Sequence, residues 1–175
     1  MNIKNLLPDS SRVTIDKATE FILKNNEQLT DIINITINEN SKYALRASRV
    51  LHFCSKKKPD LIHPYLSVFI KELKENQNES IKGNLLSIFY EINLPDDEEL
   101  LSELTLICFD FLNGKSKLES LAVNSIDILY KICNFYPELK NELIENLNSL
   151  MPSKKVAFQS RAKKYLNLLN NKKYS

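Results

Sequence analysis

The chain is poor in glycine, histidine and tryptophan. Among its 175 residues there are two glycines, Gly83 and Gly114, two histidines and no tryptophan. A phosphate-binding P-loop and a Gly-rich dinucleotide-binding turn both need clustered glycines, which let backbone N–H groups approach a phosphate. Because the two glycines are 31 positions apart, the sequence contains neither motif.

Cysteine is sparse as well, with thiols at Cys54, Cys108 and Cys133. An odd number of widely spaced cysteines without a Cys-x-x-Cys pair does not match the pattern of a zinc ribbon. Each cysteine lies in an apolar helical stretch, which is typical of reduced, buried cysteines in cytosolic proteins. We therefore expect three buried thiols.

Long hydrophobic runs are absent too. Residues 1–8 contain neither the apolar core nor the cleavage site of a signal peptide. No stretch approaches the ~20 apolar residues that a membrane-spanning helix needs. The sequence therefore predicts a cytoplasmic location and no membrane partner.

The chain has an ordinary globular composition, with 43% hydrophobic and 26% charged residues, and its net charge of +2 is unevenly distributed. Residues 76–115 carry eight acidic and two basic side chains, whereas residues 152–175 carry seven basic and no acidic ones. Such a separation can orient the encounter with a charged partner. The alternative interpretation is a set of solvated helix faces.

Apolar residues recur with the helical period in almost every segment, and no segment shows the sustained alternation of a strand. Pro59 suits the first turn of one such helix, and Pro64 predicts either a kink or a later helix start. The acidic residues 96–99 invite a metal or acid/base interpretation, but we interpret them as a helix start with Asp96 as the N-cap. Gly114 follows the next apolar stripe and predicts a helix end.

A repeat of about 40 residues runs through these helices. Residues 50–52, 88–90, 128–130 and 165–167 align, and their central residues are spaced by 38, 40 and 37 positions. Stacked helical hairpins of this length bury the faces that one hairpin alone leaves open. The sequence thus predicts a single all-α domain over residues 1–175, a right-handed α-solenoid of four hairpins and a closing helix, at residues 14–38, 41–76, 79–113, 116–151 and 154–170.

Residues 41–54, followed by residues 59–66, and residues 158–169 resemble one family in particular. They are similar to the small HEAT-like repeat proteins of Bacteroidetes, which often carry the label adenylosuccinate lyase by automated transfer. The resemblance implies an armadillo-type helical repeat fold rather than an activity. Neither His52 nor His63 has a context suited to catalysis, so the residues do not support the lyase label.

The sequence offers no arrangement for catalysis or metal binding. His52 and Cys54 are two positions apart, so a helix directs them ~200° apart and they cannot share an ion. No serine or cysteine is accompanied by a base that a third group orients. DNA glycosylases of HEAT-like fold are enzymes, but the likeness of this chain to them is one of fold alone. A shared fold does not imply a shared activity. We therefore predict a protein that is not an enzyme and has no cofactor and no small-molecule substrate.

The remaining class is binding to another protein. With 100° of rotation per residue, the first helix of each hairpin has one buried side and one outward side. The outward side carries a row of polar and aromatic residues. In the repeat alignment, Asp127 occupies the position of Arg49 in this row. Tyrosine and arginine are favoured anchors at interfaces, although ordinary exposed residues would give the same pattern. The candidate partner contacts are Arg49, His52, Tyr90, Tyr130, Arg161 and Lys164.

Nucleic-acid binding is the alternative function, because the last predicted helix is strongly basic. Phosphate contacts by these side chains would give salt-sensitive, sequence-independent binding. A solubilising cap, which terminal repeats require, is the other interpretation of the same charges. The basic residues are Lys154, Lys155, Arg161, Lys163, Lys164, Lys172 and Lys173.

Overall fold

The computed structural model describes residues 3–39 and 41–171, which form helices and their connections, with no strand in those ranges. The predicted all-α fold is thus confirmed, while the handedness of the solenoid stays a prediction. The α-helices of this part of the chain are α1 (Arg12–Lys24), α2 (Leu29–Asn38), α3 (Lys42–Lys57), α4 (Pro59–Ile62), α5 (Leu66–Glu75), α6 (Glu79–Glu91), α7 (Glu98–Leu112), α8 (Glu119–Ile132), α9 (Leu139–Leu150) and α10 (Val156–Asn171).

The chain divides into two compact units, Met1–Leu100 and Leu101–Ser175. In the first unit α3 is central, because it packs against α1, α2 and α6. In the second unit α8, α9 and α10 pack against one another. The division of the chain into one domain of four hairpins and a closing helix stays a prediction.

Hydrogen bonds that involve side chains link segments about one repeat length apart in the chain. In the first unit the Asn84 amide donates to the Ser48 hydroxyl, 36 positions away, at 2.9 Å. In the second unit the backbone N–H of Lys155 donates to the Glu119 carboxylate, also 36 positions away, at 2.8 Å. Because this spacing is close to the period of the apolar alignment, equivalent helices of successive repeats lie side by side within each unit.

The core of each unit contains the residues that the repeat alignment places at equivalent positions. Leu51 and Phe89 are buried in the first unit, and Leu129 and Leu166 are buried in the second. The residues four positions before them are 0% exposed: Ala47, Leu85, Ser125 and Ala162. The predicted inward face of the first helices is therefore confirmed.

The helix interruptions follow from proline and glycine chemistry. The segment that contains Pro59 and Pro64 forms α4, a 3-10 turn at His63–Tyr65 and α5 instead of one helix. Pro64 lies in that turn, where its missing N–H and its ring prevent a continuous α-helix. Gly114 follows α7 with φ of 94°, a left-handed conformation that glycine adopts without steric penalty.

The predicted N-cap of α7 is wrong by one residue. The Asp97 carboxylate, not that of Asp96, accepts a hydrogen bond from the backbone N–H of Leu100, at 2.9 Å. α7 begins at Glu98, so Asp97 is the residue whose side chain reaches back to the first turn. Two adjacent aspartates offer the same cap chemistry, and the backbone path decides between them.

Replacing Asp97 by alanine should lower the free energy of unfolding by about 1 kcal/mol, because a free N–H of the first turn loses its acceptor. Asp96→Ala is the matched control, since it removes the same charge from an exposed neighbouring position. Urea unfolding followed by circular dichroism measures both. Equal losses in the two variants would show that charge at the helix end, rather than the cap bond, stabilises α7.

Candidate functional site

The six predicted contact residues divide between the two units, and each group is built on its own helices. The first unit holds Arg49 and His52 on α3 and Tyr90 on α6. The second unit holds Tyr130 on α8, and Arg161 and Lys164 on α10. Their role as partner contacts stays a prediction.

Arg49 is half-buried, and it binds the chain segment that precedes α1. Its Nη1 donates to the Ser10 carbonyl oxygen at 2.8 Å. Arg46, one turn earlier on α3, donates in the same way to the carbonyl oxygens of Leu7 and Pro8, at 2.8 and 2.9 Å. Arg49 therefore has an internal structural role, which helical direction alone did not indicate.

His52 belongs to a small cluster with charged neighbours on α3 and α6. Its Nε2 lies 3.6 Å from a carboxylate oxygen of Glu91, and the Lys56 Nζ lies 3.1 Å from the same oxygen. Burial lowers the pKa of His52 below its ordinary value, and the nearby Glu91 carboxylate opposes this effect. The neutral imidazole is therefore favoured at pH 7 and is directed at a carboxylate.

Tyr90 keeps a large aromatic surface in water, since the residue is 48% exposed. It directly precedes Glu91 near the end of α6. We call His52, Lys56, Tyr90 and Glu91 the α3–α6 patch. The patch joins an accessible aromatic ring to an ion pair, and all of its residues lie in the first unit.

In the second unit, the predicted contact residues lie around the buried carboxylate of Asp127. Asp127 is 4% exposed, so the prediction that it points outward is wrong. Nη1 of Arg161 donates to both carboxylate oxygens of Asp127, and its distance to Oδ1 is 2.6 Å. The Tyr165 hydroxyl also donates to Oδ1, at 2.6 Å. The physical reason is that α10 packs over this side of α8 and supplies the partners that a buried charge requires.

Tyr130 and Lys164 surround the same tyrosine. The centres of the Tyr130 and Tyr165 rings are 4.6 Å apart, and Lys164 Nζ lies 4.8 Å from the centre of the Tyr165 ring. Tyr130 is therefore half-buried rather than fully turned to solvent, whereas Lys164 is exposed. Lys172 and Lys173, the last members of the predicted basic helix, lie outside the described residues.

Sequence reasoning missed Asp127 and Tyr165 as a polar pair. A usable signal was present, because Arg161 and Tyr165 follow Asp127 by 34 and 38 positions. In a stacked repeat of about 40 residues, such separations place side chains on neighbouring helices. An acidic residue one repeat before an arginine and a tyrosine therefore predicts a bond between repeats.

The thiols are removed from solvent. Burial raises the pKa of Cys54 and of Cys108 to about 12, and that of Cys133 to about 11. All three are free cysteines, as the sequence predicts, and all are buried. They are therefore thiols rather than reactive thiolates at neutral pH.

We expect the native protein to react very slowly with a thiol reagent such as DTNB at pH 8. Burial keeps each sulfur protonated and inaccessible, whereas an unfolded thiol has a pKa of about 8.5. Absorbance should report three thiols per chain once a denaturant is added. Rapid reaction of one thiol in the native protein would contradict the buried position of that cysteine.

Two further properties concern residues 3–39 and 41–171 only. Within these ranges no group of three or more His, Cys, Asp or Glu side chains is placed to hold a metal ion. In the same part of the chain, every helix is too short or too polar to cross a lipid bilayer.

Comparison with known proteins adds one match. A family model described as a HEAT repeat domain matches residues 3–169, which is nearly the whole chain. No curated protein and no solved structure matches the chain significantly. The match therefore bears on the fold and on the general class of function, without naming a partner.

Proposed function

The chain belongs to the HEAT repeat family, and from this premise we propose that it is a non-catalytic module that binds another protein in the cytoplasm. Repeat proteins stack their hairpins into extended surfaces, and these surfaces are what they use for binding. The known general role of the family supports a module of protein interaction.

The exposed ring of Tyr90 in the α3–α6 patch is the observation that carries this proposal. A tyrosine combines a large apolar surface with a hydroxyl, and tyrosines are enriched among the residues that dominate binding energy. The neighbouring Glu91 holds both His52 and Lys56. Because these contacts already restrict the side chains, less conformational entropy is lost when a partner covers them.

The state of the nucleophiles also supports binding over catalysis. An activated cysteine needs a lowered pKa, whereas the three thiols of this chain have raised values. His52 is engaged with Glu91 and does not orient a described thiol or hydroxyl. The three thiols are buried in the fold, and the exposed polar and aromatic side chains remain accessible for recognition.

A capture experiment with matched variants tests the proposal. The tagged wild-type protein, Tyr90→Ala and Phe135→Ala are each incubated with extract of the native cells, and bound proteins are identified by mass spectrometry. Phe135 is 70% exposed and lies in the second unit, so Phe135→Ala also removes an exposed ring. We expect a protein that binds to the wild type and to Phe135→Ala, and that Tyr90→Ala fails to retain. Equal capture by all three would exclude the α3–α6 patch as the contact.

Nucleic-acid binding through the basic C-terminal helix is the second candidate. It is favoured by one observation, the absence of acidic residues from residues 152–175. Binding through phosphate contacts would weaken steeply as the salt concentration rises. Recovery of nucleic acid alone, with such a salt dependence, would favour this function over protein binding.

A further inference from the structure

A basic cleft in the second unit lies near the start of α10. Its cavity has a volume of about 250 Å³ and opens between the connection from α7 to α8 and the segment that enters α10. Ligand pockets for small molecules usually have about 300–1,000 Å³, so this cavity suits one or two side chains better than a cofactor. We call it the lysine cleft, after the three lysines among its lining residues Gly114, Ser116, Lys117, Ser153, Lys154 and Lys155.

The charge of the lysine cleft is positive. Among the described residues that line the cleft, Glu119 is the one carboxylate, and it is already engaged by Lys155. It accepts the backbone N–H of that residue at 2.8 Å and lies 3.6 Å from its Nζ. Lys117 and Lys154 add two further positive charges to the same cavity, so its walls complement an anion.

The exposed face of α10 that follows the cleft in the chain carries one lysine, Lys163. Val156, Ser160, Lys163 and Asn167 are exposed and follow one another at helical spacing, so they share one face over about 17 Å. That face carries no acidic residue. An acidic partner segment that enters the cleft can therefore continue along α10 without meeting a negative charge on this face.

Exposed apolar residues directly follow two of the cleft lysines in the sequence, and they distinguish between classes of partner. Val156 is 79% exposed at the start of α10, and Leu118 is 37% exposed beside Lys117. Single-stranded nucleic acids instead need aromatic rings on which bases stack. The rings of α10 do not meet this need, because Phe158 and Tyr165 are buried.

We infer that the lysine cleft takes an aspartate or glutamate side chain from an acidic, partly apolar segment of a partner protein, which continues along the exposed face of α10. This inference goes beyond the proposed function, because the lysine cleft lies in the second unit and the α3–α6 patch lies in the first. The lysines supply the charge complement, and the flanking apolar residues contact the apolar part of the segment. Arg161 takes no part, since its guanidinium is held by Asp127.

Fluorescence anisotropy with synthetic peptides tests the inference on the full chain. The probe is a labelled peptide of repeated Asp-Asp-Leu units, and the matched probe has asparagine in place of each aspartate. We expect the acidic peptide to bind and the neutral one not to bind. Lys117→Gln combined with Lys154→Gln should weaken binding about five- to tenfold, because two charge contacts are lost.

The control variant is Lys71→Gln combined with Lys74→Gln, which removes the same charge from exposed positions on α5. Its affinity should change by less than about twofold, because only the long-range charge is altered. Circular dichroism checks that both double variants remain folded. If the double variant of the cleft does not fold, the single variant Lys117→Gln is used in its place. An equal loss in the control would overturn the inference, since binding would then depend on net charge alone.

The remaining outcomes are also decisive. Equal binding of the neutral peptide would overturn the inference, and so would binding of oligo-dT alone, which would assign the cleft to nucleic acid. Failure of the acidic peptide, while a protein is still captured through Tyr90, would overturn the inference and leave the proposed function standing. Competition by inorganic phosphate as strong as that by unlabelled peptide would show that the cleft binds simple anions without recognising a protein segment.

Discussion

Replacing Arg161 by methionine should lower the free energy of unfolding by about 3 kcal/mol, because it removes the charge that compensates a buried carboxylate. Asp127 is 4% exposed, and among the described residues it would keep the Tyr165 hydroxyl as its side-chain partner. The Arg161 side chain is 35% exposed, so water that reaches the vacated space keeps the loss near the lower end of the range for broken buried pairs. Urea unfolding followed by circular dichroism measures it.

Lys163→Met is the matched control for this experiment. It removes one positive charge from an exposed position of the same helix, and its effect should stay within about 0.5 kcal/mol. Combining Arg161→Met with Asp127→Asn should recover part of the lost stability, because no buried charge is then left uncompensated. Equal stability of Arg161→Met and Lys163→Met would show that the contact with Asp127 does not stabilise the second unit.

Truncating Leu129 to alanine should cost about 2–5 kcal/mol, from the lost transfer free energy and the cavity that remains. Leu129 is 1% exposed and lies on α8, which packs against α9 and α10. Because native proteins are stable by roughly 5–15 kcal/mol, a loss of this size should lower the melting temperature clearly. Thermal unfolding followed by circular dichroism measures the effect.

The adjacent Tyr130→Ala variant tests the register of α8. Helical direction alone predicts almost no effect, but the contact between the Tyr130 and Tyr165 rings changes this expectation. Such aromatic pairs contribute about 0.5–1.5 kcal/mol, so Tyr130→Ala should be damaging but less so than Leu129→Ala. A larger loss for Tyr130→Ala than for Leu129→Ala would show that the register is wrong by one residue.

The helices and their interruptions could be predicted because their causes are local. Apolar periodicity predicted the buried face that contains Leu51 and Leu129, and the conformational limits of proline and glycine predicted the breaks near Pro64 and Gly114. The cap of α7 was misplaced, since adjacent aspartates have the same chemistry and differ only in the backbone path. A pattern that two neighbouring residues fit equally well does not choose between them.

The candidate site could be predicted only in part, because exposure depends on neighbours. Tyr90 is accessible, as the outward row of residues predicts, whereas the aligned Tyr130 packs on Tyr165. Arg49 binds a carbonyl of the segment before α1, which no helical-wheel argument contains. The lysine cleft was not predicted as a cavity, because its walls come from segments about 40 positions apart in the chain.

The amino-acid sequence by itself determined the all-α fold and the repeat register. Both follow from the spacing of apolar residues, and burying these residues is the dominant driving force for folding. Only the tertiary structure decided which polar members of the outward row meet water. Asp127 is buried because α10 covers it and supplies Arg161 and Tyr165, while Tyr90 keeps nearly half of its surface exposed. The cost of burying a polar group depends on the partners that a neighbouring helix brings, and the direction of a side chain on its own helix does not contain that information.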